Sequence, residues 1–213
     1  MKKEQRTSLA TTGQTPSKPP FERLFVPYAV AVIGVSANLA AIGSQVITNL
    51  RSHAFTGQIY PINPKYDEID GLPCYATIDT LPITPDVLVV AVPARFVLEV
   101  IRTAGRKGIA FAIILSSGFA ETGAAGQAAQ LDLLREAESA GIHLIGPNCQ
   151  GLMNIADGIH IGFGAPYTLD YGKGNVSLTS QSGAFGNCLV MGLADAKVGL
   201  RRYISTGNEV ATT

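Results

Sequence analysis

Ala29-Val30-Ala31-Val32-Ile33-Gly34-Val35-Ser36-Ala37-Asn38, followed by Ile42-Gly43-Ser44 and a further apolar run, is the stretch that decides the fold. Consecutive Ala, Val and Ile residues are what a strand buried on both faces requires. The small and polar residues after Gly34 release the chain into a turn, and Gly43 opens a helix. Such a junction exposes main-chain N–H groups that can hold phosphate. The same glycines also suit an ordinary tight βα turn without a ligand. The spacing is not that of the dinucleotide fingerprint, because Ser36 follows Gly34 and the next glycine is Gly43. That weakens NAD as the ligand and leaves a phosphate cradle at Ser36-Ala37-Asn38.

The pattern of this junction repeats. Short apolar runs at 29–33, 58–61, 87–92, 110–116 and 142–145 alternate with helical periodicity at 43–52, 95–107 and 126–140. Alternation of this kind is the mark of βαβ units on a parallel sheet. Gly108 and Gly141 fall where helix C-caps are expected. A Rossmann-like domain thus spans residues 21–150. Residues 1–20, rich in Thr, Ser, Gln, Lys and Pro, offer almost nothing to bury and read as a disordered or loosely docked arm. Residues 151–173, rich in Gly, read as a linker. A strand at 175–179, a turn at 180–183, a helix at 184–196 and a strand at 201–205 then restart the rhythm, as an incomplete second α/β domain over 174–213.

With 213 residues, 46% of them hydrophobic, the chain can bury a full core. Sixteen basic residues balance sixteen acidic ones, and no basic stripe suits a nucleic acid. No apolar run approaches the roughly 20 residues that span a bilayer, and the start Met1-Lys2-Lys3 lacks the apolar core of a signal peptide. Cys74, Cys149 and Cys188 are widely spaced and show no metal-ligand spacing, so no metal is expected. A reducing, cytoplasmic setting follows.

The polar residues collect at strand ends, where open α/β sheets bind ligands. After the second strand comes Asn63-Pro64-Lys65; a lysine there can pair with a phosphate on a ribose, or can simply be solvated. Pro93, after the third strand, offers a rigid surface on which an adenine can lie, or else begins the next helix. Ser117 and Glu121 follow the fourth strand and Asn148 the fifth. Cys149, without a paired histidine, reads as a structural thiol. His143 reads as an interior or crevice residue, and His53 and His160 show no partner spacing. In the second segment, Ser182-Gly183 at a helix start suits an anion, although an N-cap by Ser182 explains the same residues. A further polar turn, Gly207-Asn208-Glu209, closes the last strand.

Taken together, Val32-Ile33-Gly34-Val35-Ser36, Ile59-Tyr60-Pro61-Ile62-Asn63-Pro64-Lys65, Gly71-Leu72-Pro73-Cys74-Tyr75, Val90-Ala91-Val92-Pro93, Ser117-Gly118-Phe119-Ala120-Glu121, Gly146-Pro147-Asn148-Cys149-Gln150-Gly151-Leu152 and Ser180-Gln181-Ser182-Gly183 resemble the CoA-binding domain of the nucleoside-diphosphate-forming acyl-CoA synthetases. This superfamily includes the succinyl-CoA synthetase alpha subunit and ADP-forming acetyl-CoA synthetases. The resemblance covers about residues 25–210 and implies a flavodoxin-like second domain.

It implies coenzyme A as cofactor, with Gly34, Ser36, Ala37, Asn38 and Gly43 at its phosphate turn. Lys65 would lie near the ribose phosphate, Pro93 near the adenine, Ser117 and Glu121 beside the cofactor, and Asn148 toward the pantetheine end. Ser182, Gly183, Gly207, Asn208 and Glu209 would face a phosphohistidine. That histidine is expected beyond Thr213, so no catalytic residue is assigned within the chain. The family reaction interconverts acyl-CoA, ADP or GDP and phosphate with free acid, CoA and ATP or GTP. It calls for an ATP-grasp domain or subunit, the remainder of the second domain and a small carboxylic acid. Three accounts stay open: a piece of a longer synthetase, a subunit completed by another chain, or a stand-alone CoA-binding or regulatory module. An NAD(P)-binding Rossmann protein is the further alternative.

Overall fold

The computed structural model describes residues 20–53 and 55–211. The arm expected over 1–20 lies outside them, apart from Pro20. A short helix α1 (Pro20–Phe25) leads into β1 (Ala29–Ile33), α2 (Ile42–Ser52) and β2 (Gln58–Ile62). A small hairpin, β3 (Glu68–Ile69) with β4 (Leu72–Pro73), stands where a second crossover helix would otherwise run. Then come β5 (Val87–Val90), α3 (Ala94–Lys107), β6 (Phe111–Ile114), α4 (Ala124–Ala140) and β7 (His143–Ile145).

The five longer strands of this unit form one sheet in the order β2-β1-β5-β6-β7, and every pairing is parallel. Successive side chains point to opposite faces, and the two cores show it. Val30, Val32, Val87, Val89, Phe111 and Ile113 join Val46, Ile47 and Leu50 of α2 on one face. Ala31, Leu88, Val90, Ala112 and Ile114 join Val97, Ile101 and Leu133 of α3 and α4 on the other. Gly108 and Gly141 adopt φ of 77° and 69°, the left-handed C-caps expected of them.

The stretch read as a linker is folded. It forms β8 (Gly151–Asn154) and β9 (Ile159–Gly162), every residue of both strands buried. With β10 (Lys173–Ser180) and β11 (Leu200–Ser205) they make a mixed sheet in the order β10-β11-β8-β9; α5 (Gly183–Asp195) packs on β10 and β11. Its glycines mislead because they serve close approach rather than flexibility. At Gly162 a Cβ would lie 2.1 Å from the Tyr167 ring, and at Gly151, with φ 114°, it would lie 2.0 Å from the Ile161 carbonyl oxygen.

The second sheet is stitched to the first unit. Leu152, Ile159 and Ile161 complete the core over α2. The buried Asn49 of α2 donates from Nδ2 to the Gly162 carbonyl at 2.8 Å, and Asn154 donates to the Phe25 carbonyl at 2.9 Å.

His53 and His160, which lack partner spacing in sequence, partner each other. Their rings stack with centroids 3.5 Å apart. Burial, and secondly the nearby His53, push the His160 pKa down to about 4. His143 lies exposed at the sheet edge, in a groove with Phe111 and Phe21, rather than in the interior. An unfolded chain binds the proton of a histidine near the ordinary value of about 6.5. Stability held by neutral His160 is therefore full above about pH 6.5 and is lost as the pH falls toward about 4. Urea-unfolding midpoints are expected to decline over that window, and His160→Phe, which keeps the stack without the titration, is expected to flatten the decline.

Candidate functional site

The carboxyl ends of the parallel strands open on one rim, and β1 lies at its centre between β2 and β5, where the winding of the sheet changes direction. At Gly34, with φ 95°, a Cβ would lie 2.3 Å from the Ala91 carbonyl oxygen at the exit of β5; at Gly43 it would lie 2.8 Å from the Gly34 carbonyl oxygen. Backbone therefore packs on backbone, and the turn is pressed between β5 and α2. Ser44, buried in the first turn of α2, donates from Oγ to the Ser36 carbonyl at 2.7 Å and accepts the Ser36 N–H at 3.0 Å.

This bracing changes which groups face outward. Ser36 Oγ accepts the Asn38 N–H at 3.2 Å, and Asn38 Oδ1 accepts the Ala40 N–H at 3.0 Å. The amides of Ser36 and Asn38 thus hold the turn together. Those of Ala37, Leu39 and Ile42 have no partner among the described residues, and no side chain caps α2. These N–H groups, with that of Gly43, which is likewise unpaired among the described residues, cluster at the positive end of a helix and make a place for an anion. Lys65 follows the second strand and is tied to this turn through Asn63. Asn63 donates from Nδ2 to the Val35 carbonyl at 2.6 Å while its Oδ1 accepts the Lys65 N–H at 2.9 Å, tying the β2 exit to the β1 turn. Pro93, exposed, is the N-cap residue of α3 on the other side.

Farther along the rim, residues assigned to separate sites converge. Asn208 donates from Nδ2 to Glu121 Oε2 at 2.5 Å and to Gln130 Oε1 at 2.8 Å, and its Oδ1 accepts from Asn148 Nδ2 at 3.3 Å. Its own N–H reaches the Pro147 carbonyl at 2.8 Å. Gly207 makes this approach practicable, because a Cβ there would lie 2.3 Å from the Pro147 oxygen. Glu121 spends its other oxygen on the amides of Gly118 and Phe119, at 2.5 and 3.1 Å. Burial pulls the Glu121 pKa up, but the bonds from Asn208 and those amides outweigh it, and the carboxyl is held below its ordinary range. Glu121 is thus a brace between the two units.

Between the units lies a cleft of about 430 Å³, bordered by Ile42, Ser117, Asn148, Gln150, Ser182 and Gly183 among others. Ser182 is the N-cap of α5, its Oγ accepting the Phe185 N–H at 3.3 Å, and Glu209 accepts from the Thr206 hydroxyl at 2.6 Å. Cys149 is buried beneath the cleft and burial pushes its thiol up to about 12, so it is a structural thiol as its sequence context indicated. Among the described residues no group of His, Cys, Asp and Glu is placed to hold a metal. Ser44, Asn63 and Gln130 were not singled out in the sequence. Single polar residues in ordinary helical and loop contexts carry no local signal of what they will touch.

A family model described as CoA binding domain matches residues 28–155. The chain belongs to this family. It is the CoA-binding domain of the ADP- or GDP-forming acyl-CoA synthetases, and coenzyme A is its cofactor. It is 37% identical over 190 residues to acetate-CoA ligase [ADP-forming] I of Archaeoglobus fulgidus, covering 88% of this chain and 27% of that protein. It is 34% identical over 184 residues to acetate-CoA ligase [ADP-forming] II subunit alpha of Pyrococcus furiosus, covering 86% and 39%. Among solved structures, dinucleotide forming acetyl-coenzyme A synthetase 1 of Ca. Korarchaeum cryptofilum, in complex with phosphate and ADP, superposes with a TM-score of 0.85 at 39% identity, covering 91% of this chain and 40% of that one. The chain thus spans well under half the length of these relatives.

The Asn208 junction predicts a local dynamic effect. Asn208→Ala removes three side-chain bonds, each worth roughly 1 kcal/mol and more toward the carboxylate. Hydrogen-exchange mass spectrometry is expected to show faster exchange at Gly118–Gly123 and Pro147–Cys149, with β1 and β5 unchanged.

Proposed function

We propose that this chain is the CoA-binding portion of an NDP-forming acyl-CoA synthetase. The observation that carries the reading is the set of unpartnered amides at the β1–α2 turn, to which the Lys65 segment is tied through Asn63, together with the polar cleft that Ile42 shares with the start of α5. A ligand with a phosphorylated nucleotide at one end and a long neutral arm at the other matches that sequence of environments. In this reading Gly34, Ser36, Asn38 and Gly43 shape the cradle and the amides of Ala37, Leu39 and Ile42 hold phosphate. Lys65 pairs with the ribose phosphate and Pro93 lies under the adenine. Ser117 and Asn148 guide the arm, and Glu121 sets the shape of the loop beside it.

Ser182, Gly183 and Gly207 border the cleft, with Asn208 and Glu209 in the same turn as Gly207, and we assign this side to the acyl and phosphoryl chemistry of the synthetase. No catalytic residue is assigned within the described part of the chain, so turnover rests on partners: the remainder of the second domain and an ATP-grasp domain or subunit, acting on a small carboxylic acid. The identity with a separate alpha subunit supports a two-chain arrangement as well as a fused one. No described helix is long and apolar enough to cross a membrane, and the three cysteines are unpaired; we place the protein in the cytoplasm. ATP-grasp complementation that restores ligase activity supports the enzyme, and CoA binding without activity in any pairing supports a stand-alone module.

Titration calorimetry tests the nucleotide end. CoA is expected to bind more tightly than dephospho-CoA, and Lys65→Ala is expected to erase most of that difference. An exposed phosphate contact of this kind is worth roughly 0.5–1 kcal/mol, or about two- to fivefold. Equal affinities in the wild type remove the Lys65 assignment, and tighter binding of NAD than of CoA removes the reading itself.

A further inference from the structure

Gln150 is held rigidly but leaves its side chain unused. Its N–H donates to Ser205 Oγ of β11 at 3.1 Å and its carbonyl accepts the Phe163 N–H at 3.3 Å. The side chain lies against Gly183 at the start of α5, where a Cβ would come within 3.0 Å of Cδ and 3.2 Å of Oε1. Glycine at position 183 lets the side chain lie there without displacement. Yet the buried Oε1 has no hydrogen-bond partner, and Nε2 has none among the described residues. Buried amide groups are nearly always paired, so one left unpaired in a residue that borders a cleft marks a place where something else supplies the partner.

The cleft itself narrows the choice of ligand. Ile42, whose amide belongs to the proposed phosphate cradle, borders it together with Ser117, Asn148, Gln150 and Gly183. None of its bordering residues carries a charge, so it suits a neutral arm better than an anionic head. A primary amide both donates and accepts, which matches a secondary amide with its N–H and C=O. We propose that Gln150 is a recognition residue for the amide-bearing pantetheine arm of the ligand. The inference rests on the CoA reading above and extends it to a residue outside the phosphate cradle.

Calorimetry with the full chain separates the two. CoA carries the arm, whereas adenosine 3′,5′-bisphosphate has the nucleotide end without it. Gln150→Leu keeps the side-chain volume and removes both hydrogen-bonding atoms. It is expected to weaken CoA about three- to tenfold, the loss of one or two neutral bonds, and to leave adenosine 3′,5′-bisphosphate within twofold. Equal losses for both ligands, or no loss for CoA, overturn the assignment while wild-type CoA binding keeps the broader reading intact. Failure of wild-type protein to bind either ligand overturns the broader reading instead. Should Gln150→Leu not fold, nitrogen-15 NMR of the wild type supplies the answer. The Gln150 side-chain amide resonance is expected to shift with CoA and stay in place with adenosine 3′,5′-bisphosphate; a resonance that moves equally with both overturns the proposal.

Discussion

The Ala91 carbonyl oxygen occupies the place where a side chain on Gly34 would begin. Everything at the binding rim depends on that contact of main chain with main chain. Because β5 comes so close to the exit of β1, the turn has no freedom to spread, and Gly43 lets α2 close on its other side. Ser44 then fixes Ser36 from below with a reciprocal pair of hydrogen bonds. The result is a turn fixed in shape, with several of its amides left unpaired among the described residues, before any ligand arrives. Preorganisation of this kind lowers the ordering cost of binding.

A second constraint joins the two units. Asn208 meets groups from the β6 exit, the β7 exit and α4 with a single side chain, and Gly207 brings its backbone onto Pro147. The loops that leave β6 and β7 and the turn that follows β11 are consequently parts of one network. Glu121, an acid that the family resemblance implies lies beside the cofactor, has both oxygens engaged by protein groups. Its carboxylate holds the loop and the junction together.

The buried parallel strands were legible because runs such as Val87–Val90 and Phe111–Ile114 can be little else in a chain with so many glycine-bounded helices. The strands over 151–162 were not, since four-residue runs flanked by Gly151, Gly158, Gly162 and Gly164 have the composition of a flexible connector. What distinguishes a glycine that bends from one that admits a neighbour is the neighbour, and Tyr167 and Ile161 are known only once the chain is folded. The same holds for His53 and His160, whose stacking no local spacing announces.

By itself the sequence determined the parallel α/β unit, the places where its strands end in polar turns, and the family, because buried hydrophobic runs and ordered motifs are properties of the chain in one dimension. Tertiary structure alone decided which amides stay free for an anion, that Glu121 and Asn208 belong to one junction, and that Gln150 faces a neutral cleft without a partner. Those are matters of which groups are left unsatisfied. A hydrogen bond across the fold depends on atoms brought together from distant positions, and no local pattern records it.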